Sequence, residues 1–167
     1  MSYAVVVNSR TGNTKLLADT IVQCFNQEEV VYVGEVSQEA KKADVIFVGF
    51  WTDKGCCTEE VKQFLHNLKG KKIFLFGTAG FGANQAYFQQ ILERVKQEIS
   101  SDNTIIGTYM CQGKMPMAVR DRYVALKEKE PENKRHEMMI QNFDVALSHP
   151  NESDLELLKE KVKDSLS

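Results

Sequence analysis

Five short apolar runs, separated by amphipathic stretches, constrain this chain more than any other feature: Tyr3 to Val7, Val30 to Val33, Val45 to Phe50, Ile73 to Gly77 and Thr104 to Met110. The third and fourth runs are almost entirely apolar, as strands buried on both faces must be. Between the runs the hydrophobic period lengthens to that of a helix. Leu17, Ile21 and Phe25 recur every fourth residue, and Val61, Phe64, Leu65 and Leu68 follow the i, i+3, i+4, i+7 pattern. Phe88, Ile91, Leu92, Val95 and Ile99 repeat it. Thr58 is placed to cap the middle helix, with Glu59 and Glu60 complementing its dipole. The polar stretch Ser37 to Lys42 is too short for more than a weak helix. Strands alternating with helices predict an α/β fold: a doubly wound, five-stranded parallel sheet with right-handed crossovers.

After Met110 the pattern changes. Residues 117–126 are expected to be helical, and the charge-dense Lys127 to Glu137, with Pro131, to form a solvated break. Met139, Phe143 and Leu147 mark another helix. Leu155, Leu158, Val162 and Leu166 mark a last one, with Ser153 as its expected cap. The 167 residues suit one domain, with a core of about residues 1–115 and a C-terminal helical extension of about 116–167.

Charge narrows the function. With 21 basic against 23 acidic residues, the net charge of −2 argues against nucleic-acid binding. No apolar stretch nears the roughly 20 residues of a membrane span. Met1 leads directly into the first strand without a basic leader, which predicts a cytoplasmic protein. Cys24 and Cys111 are isolated, Cys56 and Cys57 are adjacent, and His66, His136 and His149 are scattered, so zinc spacing is absent and reduced thiols are expected.

In an open parallel sheet, ligands bind outside the carboxyl ends of the strands. Three loops meet that condition. Ser9, Arg10, Thr11, Gly12, Asn13 and Thr14 follow the first strand and open a helix, where main-chain N–H groups and the dipole suit a phosphate. Neither the Walker A nor the G-x-G-x-x-G pattern is present, and an N-capped turn would use the same residues. Trp51, Thr52, Asp53, Lys54 and Gly55 follow the third strand; Trp51, the only tryptophan, is either a core residue or a flat face for a ring. Gly77, Thr78, Ala79, Gly80, Phe81 and Gly82 follow the fourth, and Phe81 presents the same choice. A phosphate cradle beside two aromatic faces describes a site for a planar ring bearing one phosphate.

Over residues 1 to about 110 the chain resembles the flavodoxin family. Ser9, Thr11, Gly12, Asn13 and Thr14 match its phosphate loop, with Arg10 at the variable position, and Phe76 to Gly82 resembles its second flavin-contacting segment. The resemblance implies strand order 2-1-3-4-5 of the short-chain type and non-covalent FMN. It also implies an electron carrier, with no catalytic residue and no metal of its own, serving a partner reductase as a monomer or weak dimer. By the same analogy, the peptide near Asp53, Lys54 and Gly55 would alter its hydrogen bond to the flavin ring on reduction. Residues 110–117, with the helical tail, resemble a subgroup of bacterial flavodoxin-family proteins, some of which accompany or are fused to a reductase acting on bilirubin. An FMN-dependent NAD(P)H:quinone-type reductase is the alternative. A phosphorylated receiver domain is excluded, because Gly49-Phe50 and Asn8-Ser9 stand where its acidic residues belong.

The run from Cys111 to Met117 leaves the ligand-binding end of the fifth strand. Gln112 and Lys114 are therefore expected on a docking surface, and the near-neutral net charge predicts an association only modestly sensitive to salt.

Overall fold

The computed structural model describes all residues except Ala83. Five strands, β1 (Tyr3–Val7), β2 (Val30–Gly34), β3 (Val45–Trp51), β4 (Lys72–Ala79) and β5 (Thr104–Gln112), form one parallel sheet in the order β2-β1-β3-β4-β5. Helices α1 (Asn13–Val22), α2 (Glu59–His66) and α3 (Gln85–Lys96) make the crossovers, and α4 (Met117–Lys129), α5 (Lys134–Ala146) and α6 (Glu152–Leu166) follow β5. The fold class and strand order are those expected.

Alternation along the strands divides the core between the two sheet faces. Val6, Ile46, Val48, Phe50, Ile73 and Leu75 pack under α2 and α3, against Val61, Leu65, Ile91 and Val95. Val5, Val45, Phe47, Phe74 and Phe76 pack under α1 and α6, against Leu17, Ile21, Leu158 and Val162. At the sheet edge, β2 pairs on one side only and exposes Val31 and Val33.

The packing redraws the expected boundary between core and extension. Helix α6 shares with α1 the covering of the second face, and Tyr109 on β5 donates its hydroxyl to the Asp154 carbonyl at 2.8 Å, pinning the start of that helix. The α4–α5 hairpin alone is added to the doubly wound core. Its helices are joined across their faces by Arg120, whose Nε and Nη2 reach the two Asp144 carboxylate oxygens at 2.8 and 3.2 Å.

Local details differ from the sequence reading. Thr58 precedes α2, but its hydroxyl donates to Asn8 Oδ1 at 3.0 Å rather than capping the helix. Asn151, not Ser153, caps α6: its Oδ1 accepts from the Asp154 N–H while Asp154 Oδ2 accepts from the Asn151 N–H, a reciprocal pair. The charged break is confined to residues 130–133, because α4 continues through Lys129 and Asn133 caps α5 at once. Ser37 to Lys42 forms a single 3-10 run, Gln38–Lys42. Among the described residues, no helix is long and apolar enough to cross a membrane.

Candidate functional site

A cleft of about 420 Å³ opens at the carboxyl end of the sheet, where the loops after β1, β3, β4 and β5 converge. Of the residues singled out from sequence, Arg10, Thr11, Asn13, Trp51, Thr52, Lys54, Gly55, Thr78, Ala79, Gly80 and Phe81 line it. Ser9, Gly12, Thr14, Asp53 and Gly82 do not line it: Ser9 and Gly12 are exposed on the loop outside it, and Thr14 is buried beneath.

The loop after β1 is built around Ser9 and Gly12. Ser9 Oγ accepts from the Gly12 N–H at 3.1 Å and from the Lys15 N–H at 3.4 Å. Gly12 has φ of 92°, a conformation costly for any residue with a side chain, and it turns the chain into α1. The main-chain N–H groups of Thr11, Asn13 and Thr14 find no hydrogen-bond acceptor among the described residues. Unpaired donors at the positive end of a ten-residue helix fit a dianionic phosphate. The Thr14 hydroxyl does not face the loop surface. Thr14 is 1% exposed, and its Oγ1 lies 3.0 Å from Thr78 Oγ1 and 3.4 Å from the Phe50 carbonyl. It braces β3 and β4 from beneath.

Asn13 joins the first loop to the last. Its Nδ2 donates to the Lys114 carbonyl at 2.8 Å and to Thr11 Oγ1 at 3.0 Å. The contact needs glycine at position 113, where a Cβ would stand 2.5 Å from Asn13 Nδ2.

After β3, Asp53 and Cys56 exchange main-chain hydrogen bonds of 2.8 and 3.1 Å across a two-residue turn. Lys54 and Gly55 both take left-handed conformations there, at φ of 51° and 81°, as such a tight turn demands. Arg94 of α3 holds the turn from outside, donating from Nη1 to the Gly55 carbonyl at 3.1 Å. Trp51 is half-buried with one face toward the Arg10 guanidinium, 5.4 Å from the ring centroid. Across the cleft Phe81 is 39% exposed and leans on Tyr123 of α4, with ring centroids 6.4 Å apart. Neither aromatic is a fully buried core residue.

Sequence reasoning missed Tyr87, Val119 and Arg122, which also line the cleft. Tyr87 lies off the apolar stripe of α3, a signal that was available. Val119 and Arg122 come from the added hairpin and carried none. Gly113, Lys114, Met115 and Pro116 line the cleft, as expected of the segment leaving β5. Gln112 contradicts its expected surface role: it is 3% exposed, and its Nε2 donates to the Gly80 carbonyl at 3.0 Å and to Asn142 Oδ1 at 3.1 Å.

No Asp, Glu, His or Cys is among the described residues lining the cleft, and no cluster among the described residues could hold a metal ion. Burial, reinforced by Cys56, pushes the Cys57 thiol up to about 12, so it stays protonated and unreactive at neutral pH. Burial raises the Cys111 thiol likewise.

The flavodoxin domain family matches residues 4–163 of this chain. The chain is 37% identical to the flavodoxin-like domain-containing protein BilS of Clostridium symbiosum and 34% identical to that of Clostridioides difficile, in each case over 93% of this chain and 90% of the relative. Among solved structures it resembles a flavodoxin of Streptococcus pneumoniae (TM-score 0.58) and Flavodoxin 2 of Bacillus cereus (TM-score 0.57), both 17% identical and aligned over 99% of this chain and 98% of the other.

Proposed function

Because this chain belongs to the flavodoxin family, we propose that it binds FMN in the cleft and carries electrons to a partner reductase. The observation that carries this reading is the meeting of N–H donors at Thr11, Asn13 and Thr14, unpaired among the described residues, with an aromatic-lined cleft whose described lining holds no carboxylate, imidazole or thiol. When bound, FMN supplies a ring that accepts and donates electrons. The segment Ser9 to Thr14 would hold its phosphate, with the Thr11 hydroxyl adding a neutral donor. Trp51 and Phe81 would contact the ring and exclude water from it. The turn at Asp53, Lys54 and Gly55 would set the main-chain groups offered to the ring edge, and Thr78, Ala79, Gly80 and Gly82 would let backbone approach its other side. A redox partner follows from the family. Delivery to a reductase acting on bilirubin is the finer proposal, supported by the resemblance of residues 110–117 and by the BilS relatives.

The purified protein is expected to be yellow and to quench bound flavin fluorescence. Trp51→Ala and Phe81→Ala should each restore part of that emission while the protein stays folded. If both variants quench as fully as the parent, ring contact at these positions is wrong; if no flavin binds, the cofactor reading fails. Mixing the loaded protein with NADPH alone separates carrier from enzyme, since a carrier without its reductase is reduced slowly.

A further inference from the structure

We propose that the mouth of the cleft is a docking surface for an acidic face of the protein with which this chain exchanges electrons; the proposal rests on the cofactor reading above. Four cations line the cleft: Arg10, Lys54, Lys114 and Arg122. None has a carboxylate within 4.0 Å among the described residues. Arg10 lies against Trp51 and belongs to the phosphate loop itself. All four are exposed, and Lys54, Lys114 and Arg122 come from separate segments, the turn after β3, the loop after β5 and helix α4. With a net charge of only −2 overall, this end of the molecule is a positive focus on a chain that is acidic elsewhere. Asp53 and Asp121 adjoin Lys54 and Arg122 in sequence, but neither lines the cleft. Two further acids are held by other cations: Asp19 by Lys15 at 3.0 Å, and Asp144 by Arg120 at 2.8 Å.

Beside these cations, Phe81 is 39% and Met117 56% exposed. Apolar side chains surrounded by like charges have the anatomy of a protein interface. A small anion would engage one or two of these cations, whereas three exposed cations on three segments suit an extended acidic surface. Over a Debye length of about 8 Å an approaching partner responds to this local charge and not to the net charge, so association should fall clearly with salt. The modest dependence expected from composition is thereby revised.

The test is a titration of the isotope-labelled, FMN-loaded protein with a deca-glutamate peptide, followed by amide NMR. Signals of Lys114, Met117 and Arg122 should shift, deca-lysine should leave them unmoved, and Lys114→Glu or Arg122→Glu should each weaken peptide binding about fivefold. Electron delivery from the reduced protein to the acidic haem protein cytochrome b5 should slow with salt and with either substitution, while delivery to basic cytochrome c should not slow with either. Shifts mapping elsewhere, equal binding by the variants, or glutarate binding as tightly at matched carboxylate concentration would overturn the proposal, the last by identifying a small-anion site. A protein that takes up no FMN refutes the cofactor reading instead, and the peptide titration of the unloaded chain still decides the docking surface.

Discussion

Asn142 on α5 donates its Nδ2–H to the Gly80 carbonyl at 2.9 Å, while its Oδ1 accepts from the Gly82 N–H at 3.3 Å and from Gln112 Nε2 at 3.1 Å. One side chain of the added hairpin thus fixes both ends of the loop that presents Phe81. Asn142→Ala leaves those groups without their partner. With each such bond worth about 1 kcal/mol, FMN affinity should fall about tenfold or more with the fold retained. Fluorescence titration beside circular dichroism measures both; unchanged affinity would mean that the loop holds its own shape.

Thr11 and Thr14 should separate by role. Thr11 is exposed on the loop, so Thr11→Ala should weaken FMN binding about tenfold to a hundredfold, as loss of a hydrogen bond to a charged group does, with little change in stability. Thr14→Val removes a buried hydroxyl that faces Thr78 and the Phe50 carbonyl, and should lower stability by about 1–3 kcal/mol. Equal FMN and riboflavin affinities in the parent protein would disprove the phosphate site itself.

Leu158 of α6 is fully buried on the sheet face that carries Phe47 and Phe74. Leu158→Ala should cost about 2–5 kcal/mol in urea unfolding, with FMN binding by the folded protein unaffected. A loss under 1 kcal/mol would contradict a core role for α6.

The α4–α5 hairpin should loosen in acid. The Arg120 hydrogen bonds hold the Asp144 carboxyl below its ordinary range, and the His136 and Asn133 side chains do the same for Glu130. Carboxyls with lowered values in the folded state contribute stability that is present above their unfolded values and is lost as pH falls through the folded ones. The opening free energy of amides in α4 and α5, taken from exchange after division by the intrinsic rate at each pH, should therefore fall below about pH 4, ahead of that in the sheet, with a modest effect because these pairs are exposed. Arg120→Ala should remove the Asp144 share; an opening free energy that is flat with pH in both proteins would exclude the mechanism.

The strands and the apolar stripe of α6 were legible in sequence, because each rests on local periodicity, whereas the strand order followed from the resemblance to the flavodoxin family. Val45 to Phe50 is apolar throughout, as a strand covered on both faces must be, and Gly12 beside hydroxyl and amide side chains suits the turn into a helix. Three-dimensional contact decided the rest. Nothing near Asn142 in sequence announces Gly80, 62 residues away, and nothing near Asn13 announces Lys114, 101 residues away. Gln112 reads as a surface amide until β5 extends to it and the hairpin closes over it. The capping pair of Asn151 and Asp154 was local, yet Ser153 offered a similar signal; the helix starts at Glu152, which puts Ser153 inside its first turn and leaves Asn151 as the cap. The charge of the cleft mouth was the least legible feature, since composition sums over the whole chain while an electrostatic field depends on which few side chains the fold gathers at one edge of the sheet.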